Sequence, residues 1–265
     1  ASPPPGFEVE VPGERPAEGW PRALAEALLR GFAPGPGPTA AFVSGGIDSA
    51  IACALARRHG PVATLSLETV HGDEFEPARA LAEGLGCDHA EVLLDAAGVR
   101  AAFERVVRQN EVTDGLSAEI LLQLSTLYAA ASGACRRVAT GYGSDLLFDG
   151  MLRVPEYLQA VGLGTGPELI ERTRWTGELA PFVHWSHGVA AEHVFWKPAL
   201  MRLALSVPRE LCFAGGVEKA VLREAAVASG LLPEALARKP KRPLTAGTRS
   251  NLLLSAALGI PEPLG

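Results

Sequence analysis

The hexapeptide Ser44-Gly45-Gly46-Ile47-Asp48-Ser49 constrains this chain more than any other stretch. It follows an apolar run, Thr39 to Val43, that reads as a short buried strand, and it opens an Ala-rich segment, Ser49 to His59, that reads as a helix. Adjacent glycines at a strand-to-helix turn let backbone N–H groups face an anion, and the helix N-terminus adds a favourable dipole. Asp48 stands where a carboxylate can hold a divalent cation against phosphate oxygens. This is not the G-x-x-x-x-G-K-[ST] loop, because the lysine is missing and the spacing is shorter. An ordinary tight turn would account for the glycines but not for Ser44, Asp48 and Ser49 together.

A second strand is expected at Val62 to Leu67, which gives strand, loop, helix, strand within about 30 residues. The alternation continues: helix at Glu76 to Leu85, strand at His89 to Leu94, helices at Ala97 to Arg108 and Ser117 to Ser132, strand at Arg137 to Thr140. A helix at Trp20 to Phe32 precedes it all and ends at Gly35-Pro36-Gly37-Pro38. The fold class is therefore α/β, a parallel sheet with helices on both faces, whose ligands bind beyond the carboxyl ends of the strands. The loops at such ends are Ser44 to Ser49 and Gly141 to Gly150. Beyond Met151 strand signals fade and a mainly helical half is expected, with helices at Leu200 to Leu205, Lys219 to Ser229 and Ser250 to Leu258. Residues 1–37 are read as a linker-like segment plus helix, 38–150 as the α/β core and 151–265 as a helical part of the same domain.

With 265 residues, 48% of them hydrophobic, the chain can bury a sizeable core. A net charge of −6 offers no overall basic field to a phosphate backbone, so a small-molecule substrate is expected rather than nucleic acid. Cys53, Cys87, Cys135 and Cys212 are scattered without a C-x-x-C pair, as reduced, mostly buried thiols of a cytoplasmic protein would be. No apolar run is long enough to span a bilayer, and no secretory signal opens the chain. The Pro-, Gly- and Glu-rich stretch from Ala1 to Glu18 suits a trimmed chain or one part of a longer protein.

Ser-Gly-Gly-x-Asp-Ser is similar to the PP-loop of N-type ATP pyrophosphatases, which split ATP between the α and β phosphates. The resemblance implies a Rossmann-like, adenine nucleotide alpha hydrolase-like core, with ATP and Mg2+ as the cofactors. At this loop alone, asparagine, β-lactam, GMP and NAD synthetases and tRNA-modifying enzymes look alike. The acidic charge and the absence of paired cysteines disfavour the tRNA group. The remaining motifs resemble asparagine and β-lactam synthetases over about Thr39 to Ser250. In Thr140-Gly141-Tyr142-Gly143-Ser144-Asp145, Tyr142 occupies the place where β-lactam synthetases carry tyrosine and asparagine synthetases carry glutamate. The acidic pair Asp73-Glu74 lies in a segment similar to the region after strand two in both.

Carried over position by position, the resemblance implies ATP contacts at Val43, Ser44, Gly45, Gly46, Asp48, Ser49, Leu67, Gly141 and Lys219, with the Leu67 backbone reading adenine. It implies metal ligands at Asp48 and Asp145, and catalytic residues at Tyr142, Glu178 (in Trp175-Thr176-Gly177-Glu178) and Lys241 (in Lys239-Pro240-Lys241). Lys219 belongs to Glu218-Lys219-Ala220-Val221-Leu222-Arg223, similar to the family helix whose lysine meets the phosphates. The stretch Arg242-Pro243-Leu244-Thr245-Ala246-Gly247 departs from the family's usual tail. The glutaminase region of asparagine synthetases has no counterpart before Thr39, so the amine is expected to be free, to belong to the substrate, or to come from another subunit or a missing N-terminal domain.

The implied reaction adenylates a carboxylate, releases pyrophosphate and joins the acyl group to an amine. An alkylammonium must lose a proton first, and a phenol, with a reference pKa of about 10, is matched to that task, which gives Tyr142 the role of base. The likeness to β-lactam synthetases points to ring closure within one substrate and to specialised-metabolite, antibiotic-type biosynthesis. Intermolecular amidation and a non-catalytic nucleotide-binding subunit are the alternatives. His184, His187 and His193 lack the spacing of a zinc motif and are read as structural or pocket residues. Trp175, Trp185, Trp196, Phe182 and Phe195 are read as core, with one or two walling the acceptor pocket.

Overall fold

The computed structural model describes residues 16, 19–33, 35–73, 75–112, 115–148, 185–239 and 248–259. Five parallel strands form the centre: β1 (Thr39–Phe42), β2 (Val62–Thr69), β4 (Asp88–Leu94), β5 (Arg137–Thr140) and β6 (Ala190–His193). They lie in the order β4-β2-β1-β5-β6, and a two-residue strand, β3 (Gly72–Asp73), runs antiparallel to the end of β2. The chain moves outward from β1 through β2 to β4, then returns past β1 to β5 and β6. The crevice between the carboxyl ends of β1 and β5 is thus a topological switch point. Both glycine loops singled out in the sequence leave from it.

Alternation along the strands builds a separate core on each face. Ala41, Val43 and Ala139 join one core with α1 (Trp20–Gly31), α2 (Ile47–Arg57), α3 (Phe75–Gly84), α7 (Pro198–Ser206) and α9 (Ala220–Ala228). Ala40, Phe42, Leu65, Leu67 and Val138 join the other with α4 (Ala96–Asn110), α5 (Gly115–Ala131) and α11 (Ser250–Leu258). Three shorter helices, α6 (Ser144–Leu147), α8 (Arg209–Cys212) and α10 (Glu234–Ala237), complete the described helices. Alanines at 40, 41 and 139 leave room for both helical layers to approach the central strands closely.

Most predicted elements are found within a residue or two of their expected ends. The second half, expected to be mainly helical, supplies one strand to the main sheet. Strand β6 pairs with β5 from Arg137↔Ala190 to Thr140↔His193. Its sequence, Ala-Ala-Glu-His, has no apolar alternation or β-branched residue, and all four positions are half-buried, so no pattern marked it. A hairpin, β7 (Phe213–Ala214) and β8 (Val217–Glu218), also lies there. It turns through Gly215 and Gly216, both with positive φ, as a two-residue hairpin loop requires.

The four cysteines are free thiols, three of them buried. Cys53 and Cys87, distant in sequence, bring their sulfurs to 3.8 Å because α2 packs against the turn that leads into β4. Among the described residues no helix is long and apolar enough to cross a membrane.

Candidate active site

The first wall of the site is the Ser44–Gly46 turn. Gly45 has φ 75°, and a Cβ there would lie 2.5 Å from Cβ and 2.8 Å from the carbonyl carbon of Pro77, so only glycine fits between the turn and α3. Ser49 closes the turn from within. Its Oγ accepts from the Ser44 N–H at 3.2 Å and donates to the Gly46 carbonyl at 3.1 Å. Val43, buried behind the turn, donates its N–H to the Leu65 carbonyl at 2.9 Å. By strand alternation the Leu67 peptide faces the same side, beyond the last β1 pair, Phe42↔Leu65. The Leu67 side chain itself is buried in the core.

The second wall is the loop after β5. A Cβ on Gly141 would lie 2.5 Å from the Asp48 carbonyl carbon and 2.7 Å from the Ser49 nitrogen, so the two loops meet backbone to backbone. This contact sets Asp48 against α6. Ser144 Oγ donates to Asp48 Oδ1 at 2.5 Å, and Asp145 is the next residue on the same short helix.

The third wall comes from the far end of the chain. The hairpin β7–β8 delivers Lys219 in a left-handed conformation, φ 55° and ψ 35°, at the start of α9. Its ammonium lies 2.5 Å from Asp48 Oδ2, 2.7 Å from Asp145 Oδ1 and 3.0 Å from Ser144 Oγ. The lysine side chain is 0% exposed, while Asp48 and Asp145 retain 17% and 37%. Burial works against the charged ammonium, but the attraction of Asp48 and Asp145 outweighs it and holds the lysine pKa above its ordinary value. A left-handed lysine costs about 1 kcal/mol or more, which these contacts offset.

Two carboxylates converging on one buried positive charge present the hard oxygen donors that a divalent cation takes. Among the described residues no group of three or more His, Cys, Asp or Glu gathers. Magnesium beside phosphates needs only one or two carboxylates, so Asp48 and Asp145 fit it, with the Lys219 ammonium standing in for part of its charge.

Beside this cluster the half-buried Tyr142 meets two aromatic groups that sequence reasoning did not connect to it. The His193 ring lies 5.8 Å away, tilted 56°, and the Trp196 indole 6.5 Å away, nearly parallel at 19°. Ser144 was likewise overlooked, although it sits inside the motif that contains Asp145. For His193 and Trp196 the missing signal was β6 itself. His187 lies elsewhere, its Nε2 3.0 Å from Ser125 Oγ, and burial lowers its pKa. Trp185 is 61% exposed, so it is not part of the core.

The model thus brings together Ser44, Gly45, Gly46, Asp48, Ser49, Gly141, Asp145 and Lys219, with Tyr142 on the connecting loop and Val43 and Leu67 behind them. Glu178 and Lys241 lie outside the described residues, as do Glu74, Trp175, Phe182 and His184.

The sequence model of the family described as asparagine synthase matches residues 26–176 and 183–258. Carboxyethyl-arginine beta-lactam-synthase of Streptomyces clavuligerus is 31% identical over 220 residues, which cover 83% of this chain and 42% of that protein. The human asparagine synthetase [glutamine-hydrolyzing] is 24% identical over 258 residues, covering 93% of this chain and 45% of that one. A structure of NMN synthetase from Francisella tularensis aligns over 92% of this chain and 94% of its own, at 16% identity and a TM-score of 0.36. The chain therefore spans less than half the length of the curated relatives it matches. A family match over most of the chain, with its motifs gathered at one switch point, makes this protein a member of the asparagine synthase family.

Proposed function

We propose that this chain activates a carboxylate with ATP, releasing pyrophosphate, and joins the acyl group to an amine carried by the same substrate. The observation that carries this reading is the convergence of Asp48, Asp145 and Lys219 at the ends of two neighbouring strands, with Tyr142 on the loop between. A carboxylate is a poor acyl donor because oxide would have to leave. Attack of its oxygen on the α-phosphorus converts the leaving group to AMP, and pyrophosphate departs.

The chain's own groups suit each step. N–H groups of Gly45, Gly46 and the first turn of α2 would face the phosphates, and Lys219 would supply a buried positive charge beside them. Magnesium held by Asp48 and Asp145 would neutralise the charge that builds on the departing pyrophosphate. The backbone of Leu67 faces the side on which adenine would lie. The amine then attacks the acyl carbon and AMP leaves. Tyr142 takes the amine proton as its own phenolic proton passes to the Glu178 carboxylate that orients it, and Lys241 steadies the oxyanion and AMP; the roles of Glu178 and Lys241 rest on sequence resemblance.

Tyr142 stands where asparagine synthetases, which use ammonia, carry glutamate, and this favours a substrate-borne amine and cyclisation over amidation by ammonia. The similarity to the Streptomyces beta-lactam-synthase points the same way, and with it to a role in specialised-metabolite biosynthesis. The test is ATP–pyrophosphate exchange with purified protein against a panel of amino acids and carboxyethyl-arginine, followed by product mass. A carboxylate that supports exchange and yields a product lighter by one water, without added amine, is the expected result. Exchange with no carboxylate in the panel overturns the adenylation reading. Exchange with product only when ammonia is added replaces cyclisation by amidation.

A further inference from the structure

We propose that His193 and Trp196 are positioning residues for Tyr142, fixing its ring for the amine-attack half of the reaction while leaving the adenylation half untouched. This rests on the function proposed above and deepens it. Nothing in the motifs of the sequence assigns either residue a part.

Strand β6 brings them in. Thr140 and His193 are direct partners in the β5–β6 ladder, and the Thr140 hydroxyl lies 2.7 Å from His193 Nδ1. With one ring nitrogen engaged, the imidazole has a set orientation. Tyr142 follows Thr140 by two residues and meets that imidazole at 5.8 Å. The indole of Trp196 lies nearly parallel to it at 6.5 Å and 19°, within the range of favourable aromatic pairs. The tyrosine ring therefore meets two rings from a single short stretch of chain.

The indole also controls the backbone beside it. Gly143, at φ 93°, has no side chain, and a Cβ there would lie 2.2 Å from Trp196 Nε1. The indole edge thus fills the space of the absent side chain, which fixes the path of the loop between Tyr142 and Ser144. Trp196 Nε1 is buried and finds no hydrogen-bond partner among the described residues. A phenyl ring would occupy much of the same space without an orphaned donor, so stability alone does not account for an indole here. The reach of the larger ring, to Gly143 and to the face of Tyr142 together, does.

Charge and ring chemistry divide the site. Among the described contacts Asp48 meets Ser144 and Lys219, and Asp145 meets Lys219, whereas His193 and Trp196 meet the Tyr142 ring. Disturbing the two rings should move the phenol more than the phosphate side. A displacement of about 1 Å at a reacting group can cost on the order of 100-fold in rate.

The experiment compares two half-reactions in the wild type, His193→Asn and Trp196→Phe. ATP–pyrophosphate exchange reads adenylation, and product formation from the carboxylate selected by exchange reads amine attack. Hydroxylamine, unprotonated at neutral pH and in no need of a base, reads capture of the activated acyl group independently. The variants are expected to retain exchange and hydroxamate formation within about twofold of wild type and to form amide about 10- to 100-fold more slowly, with a shifted pH profile for that step alone. Equal loss of exchange, hydroxamate and amide, or no loss of amide formation, overturns the proposal while leaving the adenylation reading standing. Absence of exchange in the wild type overturns both. Should His193→Asn fail to fold, Trp196→Phe, which keeps an aromatic ring, carries the comparison.

Discussion

The site has an ionic side and an aromatic side, built in opposite ways. On the ionic side one ammonium satisfies two carboxylates and a hydroxyl at 2.5 to 3.0 Å, and each partner comes from the end of a regular element. On the aromatic side Tyr142 meets the rings of His193 and Trp196 at 5.8 and 6.5 Å, and among the described contacts a Thr140–His193 hydrogen bond lies behind them. Charged contacts of the first kind are strong and intolerant of substitution, whereas ring packing is graded and adjustable. A site that must hold the same triphosphate every time and accept a particular amine has reason to use both.

The largest expected effect would break the ionic side. Lys219→Met removes the buried ammonium shared by Asp48 and Asp145 and is expected to lower stability by about 3 kcal/mol, the low end for a buried pair because Asp145 is 37% exposed. Chemical denaturation measures it, and a loss below about 1 kcal/mol would mean that water already balances the carboxylates. Tyr142→Phe tests the opposite side. Amide formation should fall by about 100-fold, equivalent to about 2.7 kcal/mol of barrier, with exchange retained. Full turnover with an unchanged pH profile would remove the tyrosine from the chemistry.

Gly141→Ala probes the seam between the two sides. Its Cβ would meet Asp48 and Ser49 backbone atoms at 2.5 to 2.7 Å, and neither can yield as a flexible side chain would. A loss of about 2 kcal/mol in unfolding free energy is expected, together with weakened exchange. Unaltered exchange would show that Asp48 has freedom these contacts deny it.

The smallest effect sharpens the ionic comparison with a buried carboxylate whose described partners are a hydroxyl and a backbone N–H. Glu119 is buried under α11, where Ser250 Oγ donates to it at 2.7 Å. Burial pushes its pKa up, and the hydrogen bonds from Ser250 and the Asn251 backbone offset this in part. A folded pKa above the unfolded value, about 4.3, means the group favours folding fully below that value and loses its contribution as pH rises through the folded pKa. Glu119→Gln should therefore gain in melting temperature relative to wild type between pH 4 and pH 8. A constant difference across that range would show that Glu119 does not titrate abnormally.

The ionic side was largely legible because its residues are written into local motifs. Small residues at a strand-to-helix turn, followed by Asp48, state a backbone geometry and a charge within six positions, and Gly141 to Asp145 do the same after β5. Lys219 was legible only by resemblance, since a lone lysine has no periodicity to announce that it is buried. The aromatic side was not legible. Its residues depend on β6, a four-residue edge strand without apolar alternation, and ring stacking leaves no pattern in spacing. Gly143 could have been a clue, but a glycine that makes room for an indole 53 residues away looks like a flexible turn until the sheet is assembled.

The Lys219 contact also bears on how the molecule is made. Asp48 and its ammonium are 171 positions apart, and the edge strand joins its neighbour only after the long passage that follows β5. Contacts that close such loops form late, because the ordering entropy is spent before they give anything back. A ribosome-bound chain that has reached α6 already carries Asp48 and Asp145 near one strand switch, before Lys219 has been made. The nucleotide end of the sheet would then mature only as the last quarter of the protein arrives, and a fragment cut ahead of α9 would lack the counter-charge that lets its own first loop settle.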